Sequence, residues 1–141
     1  MADSNRTAGI RCVIVTPETT VLDTTARGVT LPLEDGQRGV GRGHAPFIGR
    51  LGAGEVRIAT AEGRDGGQSV FVERGFVEVG HDTVTVVTQR ALAAEKLDLA
   101  QARAALAEIL AKPATGEEAI AAKLAAAQAA REVVRIAARA R

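Results

Sequence analysis

The segment Gly75-Phe76-Val77-Glu78-Val79-Gly80-His81-Asp82-Thr83-Val84-Thr85-Val86-Val87-Thr88 decides the fold of the first half of this chain. Val77 and Val79 alternate with Phe76 and Glu78, the period of two that sends successive side chains to opposite faces of a strand. Gly80-His81-Asp82 then turns the chain, and Val84 and Val86 share one face of the run that follows. Two alternating apolar runs joined by so short a turn predict an antiparallel hairpin.

The same grammar extends upstream. Ile10, Cys12 and Ile14 alternate with Arg11, Val13 and Val15; Val29, Leu31 and Leu33 line one face of a second run, and Val70 and Val72 one face of a third. Fourteen of the fifteen glycines lie between Gly9 and Gly80, so the runs are short and often interrupted. That pattern predicts an all-β domain, a flattened antiparallel β-sandwich or barrel around one modest core.

Downstream the composition changes. Alanine supplies 21 of the 51 residues from Ala91 to Arg141, which is helix-forming composition. We therefore expect a β-sandwich domain over residues 1–90 and an α-helical hairpin over 91–141. The first helix is expected from Glu95 to Ala111, with Leu99, Ala102, Leu106, Ile109 and Leu110 as its apolar stripe. Lys112-Pro113-Ala114-Thr115-Gly116 breaks it. Thr115 is the expected N-cap of a second helix reaching almost to the C-terminus, with Glu117 and Glu118 suited to its first turn. Ile120, Leu124, Ala127 and Val134 lie along one side of it.

Alanine makes such helices intrinsically stable but leaves them a thin apolar face. Two readings fit: a hairpin docked weakly enough to swing away without melting, or helices that simply pack closely. Arg131, Arg135 and Arg139 stand four apart and form one basic ridge. The ridge suits the dipole at a helix C-terminus, and it equally suits an acidic partner surface or a phosphate chain.

Several function classes are disfavoured. The net charge is +1 and the only aromatics are Phe47, Phe71 and Phe76, which argues against nucleic-acid binding. Cys12 is the one cysteine and sits mid-strand, where a buried inert thiol is expected. His44 and His81 are too few for most metal sites. Gly36 to Gly43 holds four glycines but lacks the Gly-Lys-Ser/Thr ending of a phosphate loop, so its glycines are expected to serve turns. No stretch reaches the ~20 apolar residues of a membrane-spanning helix. The segment Met1–Gly9, with Asp3 and Arg6, lacks the apolar core of a secretion signal. No catalytic constellation is visible. A binding or coupling module without a cofactor is the expectation.

The stretch Val29-Thr30-Leu31-Pro32-Leu33-Glu34-Asp35-Gly36-Gln37-Arg38-Gly39-Val40-Gly41-Arg42-Gly43-His44-Ala45-Pro46 resembles the signature of F-type ATP synthase epsilon subunits. Ile14-Val15-Thr16-Pro17-Glu18 resembles the family's first strand and turn, and Gly75–Val79 with Thr83–Val86 its last strands. The resemblance implies a non-catalytic subunit of a rotary, proton-translocating synthase. Its sandwich would bind the gamma subunit and sit on the c-ring through Glu34, Asp35, Gln37, Arg38, Val40, Arg42 and His44. Its helices would lie on the sandwich or extend toward the alpha and beta subunits and impede ATP hydrolysis, with Arg131, Arg135 and Arg139 facing the beta subunit. The expected location is the cytoplasmic side of the inner membrane, held there only through partners. Gln37-Arg38 and Gly41-Arg42 depart from the residues common in relatives. Some bacterial members bind ATP on the folded hairpin. Here Asp98, Arg131 and Arg135 match that motif, whereas Gln101 stands in place of its arginine, so weak ATP binding or none is expected.

Overall fold

A computed structural model describes residues 9–60 and 67–140. Seven strands, β1 (Ile10–Val15), β2 (Thr20–Leu33), β3 (Gly36–Gly41), β4 (Phe47–Arg50), β5 (Gly54–Thr60), β6 (Gln68–Gly80) and β7 (Thr83–Ala93), are followed by a 3-10 turn at Ala94–Lys96. Two helices, α1 (Leu99–Ala111) and α2 (Glu117–Arg139), complete the described chain. Residues 1–8, which include Asp3 and Arg6, and Arg141 lie outside the described residues.

Strand β1 closes the sheet. It pairs antiparallel with β2, Cys12 opposite Thr24, and parallel with β7, Cys12 opposite Val84. The pairings β2–β5, β5–β6 and β6–β7 complete the ring, while β3 adds outside β2 and β4 pairs with β6. The flattened β-sandwich expected from the sequence is thus a closed sheet whose ring strands have a neighbour on each side. Its interior holds the predicted faces: Ile10, Cys12 and Ile14, then Val29 and Leu31, Val70 and Val72, Val77 and Val79, Val84 and Val86. Burial pushes the Cys12 thiol up to about 12, with Asp23 adding to the shift, so the inert reading of this residue stands.

The β6–β7 hairpin turns where expected. Gly80 pairs with Thr83, and His81 (φ 52) and Asp82 (φ 54) both take the left-handed conformation. Two such central residues make a turn whose twist matches the flanking strands. Farther along the same ladder, Val70 and Val72 face the core, and so do Val77 and Val79. The change of parity is absorbed at Arg74 (φ 61) and Gly75 (φ 128). Thr88 is buried there. Its hydroxyl donates to the Glu73 carbonyl at 2.9 Å and accepts from the Glu73 N–H at 3.3 Å, filling the gap in the backbone ladder. Phe71 meanwhile faces outward, beneath the helices.

Three boundaries differ from expectation. Strand β7 continues past residue 90 to Ala93, because Ala91 and Ala93 pair with Val72 and Val70. Tertiary pairing there overrides the helix preference of alanine. Helix α1 begins at Leu99 rather than near Glu95, since the Asp98 carboxylate caps it by accepting the Gln101 N–H at 3.0 Å. Gly116 (φ 92), not Thr115, is the N-cap of α2.

The expected apolar stripe of α2 is also corrected. Ile120 is 47% and Leu124 64% exposed, whereas Ala127, Ala129, Val133, Ile136 and Ala137 are buried. Only the C-terminal half of α2 lies on the sandwich, against Phe71 and Leu92, while Ala102 is the one buried residue of α1.

The close approach at Gly75 gives a direct test. A Cβ there would lie 2.0 Å from the Val87 carbonyl oxygen, and its φ of 128 already disfavours any other residue. Gly75→Ala is expected to cost about 3 kcal/mol or more, read as a lower urea midpoint for unfolding. An unchanged midpoint would show that β6 and β7 are not apposed as described.

Candidate functional site

The first candidate surface follows β2, β3 and the loop into β4. Glu34 and Asp35 form the exposed tip of the β2–β3 hairpin, with Gly36 (φ 126) accommodating the turn after them. The next residues form a strand rather than the expected glycine turns: Gly39 pairs with Thr30 and Gly41 with Gly28. Gln37 and Arg38 are exposed on this strand, whereas Val40 is 4% exposed and belongs to the core. Val40 therefore offers no side chain to a partner, a correction to the expected contact set: it shares a strand face with Arg38 but pairs with Val29 and packs into the core.

Arg42 and His44 lie at the other end of β3, roughly 20 Å from the Glu34–Asp35 tip along the strand. The Gly43 N–H donates to the Asp82 carboxylate at 2.7 Å, which ties this loop to the β6–β7 turn. The His44 and Phe47 rings stand 5.4 Å apart. The Arg38 guanidinium lies 4.7 Å above the Phe47 ring, a cation–π contact that holds Arg38 against its own sheet. The seven residues taken from the signature stretch thus separate into an acidic tip, a strand bearing Gln37, Arg38 and the buried Val40, and a distal loop with Arg42 and His44. Beside the distal loop, Ile48 on β4 and Phe76 on β6 are large apolar side chains left in solvent.

The second surface lies beneath α2. Glu55, Phe71 and Leu92 stand side by side across β5, β6 and β7 on the outer face of the sheet. The Glu55 side chain is only 2% exposed and is paired with the Arg139 guanidinium. Arg135 lies 3.7 Å from the same carboxylate and 2.7 Å from Glu132 on its own helix. The basic ridge is thus divided. Arg135 and Arg139 reach the sandwich, while Arg131 is exposed. A cleft of about 220 Å³ separates α2 from the β2–β3 hairpin, with Gln37 and Gly36 on one wall and Gln128, Glu132 and Arg135 on the other.

Of the three residues matched to an ATP motif, two already have partners. The Asp98 carboxylate is engaged as a helix cap, and Arg135 is engaged by Glu132 and Glu55. Among the described residues no hydrogen bond or ion pair joins Asp98 to either arginine. No cluster of three metal-ligating side chains occurs among the described residues.

Glu55 was not foreseen from the sequence. In Gly54-Glu55-Val56-Arg57-Ile58, alternation places Val56 and Ile58 in the core and sends Glu55 outward, where an acid ordinarily meets water. Only the position of α2 converts that outward face into a covered one.

Comparison with known proteins bears on both surfaces. Residues 9–94 match the β-sandwich domain family of ATP synthase delta/epsilon chains. The ATP synthase epsilon chain of Rhodopirellula baltica is 48% identical over 109 residues, covering 77% of this chain and 83% of that one. The chain belongs to the ATP synthase epsilon chain family. The epsilon chain of Polynucleobacter necessarius is 40% identical over 66% of each chain. In fold, this epsilon-family chain is similar to a chain of the Euglena gracilis mitochondrial ATP synthase, with a TM-score of 0.78 and 21% identity, covering 89% of this chain and 79% of that one. A chain in the structure of the Tetrahymena thermophila mitochondrial ATP synthase central stalk and c-ring gives a TM-score of 0.68 at 13% identity, covering 90% of this chain and 95% of that one. These two likenesses establish the shared sandwich-plus-helices fold.

The Gly43–Asp82 bond is expected to set the distal loop. Asp82→Ala loses the acceptor and places alanine at φ 54, and should cost about 1–3 kcal/mol. Asp82→Asn keeps an acceptor and tolerates the left-handed turn, so its melting temperature should lie close to the parent's. Equal losses in the two variants would show that the bond does not hold the loop.

Proposed function

We propose that this epsilon chain works in the central stalk of a rotary, proton-translocating ATP synthase, joining the gamma subunit to the c-ring and passing torque to the catalytic head without itself doing chemistry. The observation that carries the proposal is the family match over the whole sandwich, residues 9–94. A coupling foot needs a rigid body with few weak edges, and a closed sheet suits that task.

On this reading the acidic tip Glu34–Asp35, with Gln37, Arg38, Arg42 and His44, supplies the contacts to the c-ring and gamma. Exposure and charge support that assignment for Glu34, Asp35, Arg38 and Arg42; Gln37 is exposed but uncharged, His44 is half-buried, and Val40 is buried. The division of labour follows the change of architecture: the strands form the foot and the helices after them form a regulatory hairpin. When extended, the hairpin would meet the alpha and beta subunits and slow ATP hydrolysis, with Arg131, Arg135 and Arg139 toward an acidic face of beta. The described residues include no helix long and apolar enough to cross a membrane. On the family reading, the proposed place is the cytoplasmic face of the inner membrane, reached through partners.

The brake is tested by replacing the chain in the assembled synthase with one truncated after Leu97, which spares β7 and the 3-10 turn. ATP hydrolysis should rise while assembly and ATP-driven proton pumping persist. An unchanged hydrolysis rate contradicts the brake, and loss of assembly contradicts the division between foot and hairpin. A nucleotide-sensing role is disfavoured by Gln101, which stands where the motif has arginine. Millimolar ATP should leave the melting temperature of the isolated chain unchanged, and a rise with ATP much larger than with ADP would overturn that reading.

A further inference from the structure

The helical hairpin rests on the sandwich through a small contact with one unusual member. The buried side chains of α2 are three alanines with Val133 and Ile136, and they begin only at Ala127. The other half of α2 projects beyond the contact with Ile120 and Leu124 in solvent, and α1 ends with Leu110 exposed. Apolar contact of that extent holds a helix weakly, because each alanine offers a single methyl group. In the middle of it stands a charged group. Glu55 carries a carboxylate that is 2% exposed, on a strand whose other face is the sandwich core.

A carboxylate removed from water is costly unless it is paired. The recorded cationic partners of Glu55 are Arg139 and Arg135, both from the C-terminal end of α2. The two sides of this contact are not symmetric. Each arginine side chain is 46% exposed and keeps much of its hydration if the contact breaks. Glu55 loses its counter-charges unless the helix leaves and water enters. The energetic weight of the arginines is therefore conditional on Glu55: they are needed because it is charged.

We propose that Glu55 is a charge latch that makes docking of the helical hairpin depend on Arg135 and Arg139, so that whatever engages these two arginines elsewhere undocks the hairpin. While α2 is docked, Arg135 and Arg139 are committed to the sandwich and only Arg131 of the ridge is presented outward. An acidic protein surface can gain all three arginines only by taking two from Glu55, and the water that then reaches Glu55 offsets its loss. Docking and engagement of the full ridge are mutually exclusive. The consequence for hydrolysis rests on the hairpin acting as proposed above, whereas the latch itself is a property of the isolated chain and is tested there.

The experiment is a spin-label distance measurement on the full-length isolated chain, labelled at Glu78→Cys on the sandwich and Ala122→Cys in the free half of α2. Both positions are exposed, and the native Cys12 is buried. Arg135→Ala with Arg139→Ala should lower the ratio of docked to undocked molecules on the order of 100-fold. These are surface positions remote from the sandwich core, and amide spectra of the strands should remain those of the parent. In a Glu55→Gln background, which removes the charge and keeps the shape, the same arginine substitutions should change the ratio by less than about threefold. Glu55→Leu should likewise dock with or without the arginines. A docked population unaltered by the double arginine substitution overturns the latch. An equally large arginine effect in the Glu55→Gln background overturns it too, since the arginines would then hold the helix by packing alone. A latch confirmed here alongside unchanged hydrolysis by the truncated synthase would leave the latch standing and refute the brake.

Discussion

The structure depends on the double pairing of β1. One six-residue strand, Ile10–Val15, lies antiparallel to β2 on one side and parallel to β7 on the other. This joins the two ends of the chain's β half and turns an open sheet into a ring. Closure fixes one interior, packed by Ile10, Cys12 and Ile14 against Val84 and Val86. It also removes the ring's exposed edges, so the strands remaining at the margin are the short β3 and β4. A closed ring carries load as a unit, which is what a foot between two turning parts requires.

Closure has a second consequence on the outside. Strands β6 and β7 are long enough to bend across the flattened ring, and the break in alternation at Arg74–Gly75 lets both ends of β6 serve the core. The outer face of the first part then carries Phe71, beside Leu92 and Glu55. Phe71 needs cover and Glu55 needs countercharge. The C-terminal half of α2 meets both needs with one face, and Arg90 flanks the patch 5.6 Å from the Phe71 ring. The free half of α2 and nearly all of α1 have no such obligation to the sandwich. An apolar interface alone would hold the hairpin by area; this one holds it by a charge pair that a competitor can satisfy. On the proposed latch, the sandwich is the rigid body and the hairpin the part that exchanges partners.

Much of this was legible in the sequence because β alternation and helix composition are local signals. The hairpin at Gly80–Asp82, the core faces of β1, β2, β6 and β7, and the break at Pro113–Gly116 all follow from neighbouring residues. What escaped depended on contacts distant in sequence. Ala91 and Ala93 fall in the expected helical half but pair with β6, and Gly39 and Gly41 read as turn but lie in a ladder with β2. The docking face of α2 was misjudged because Ile120 and Leu124 read as part of its apolar side, yet the helix meets the sandwich farther along, through Ala129, Val133 and Ile136. Of the candidate site residues, the tip Glu34–Asp35 is exposed, whereas the arginine ridge is divided, with Arg135 and Arg139 paired to Glu55. Glu55 was missed because an acid on an outward strand face ordinarily signals solvent, and nothing local records that a helix carrying Arg139, 84 residues away, will cover it.

The central claim is that this chain is a rotor component, and the most direct measurement is its stoichiometry in the native complex. With the chain tagged at its N-terminus and the membrane solubilised mildly, mass spectrometry of the purified assembly should recover gamma in near-equal amount, together with alpha, beta and the c-ring. Recovery of the tagged chain alone, or with proteins unrelated to an ATP synthase, would contradict the account.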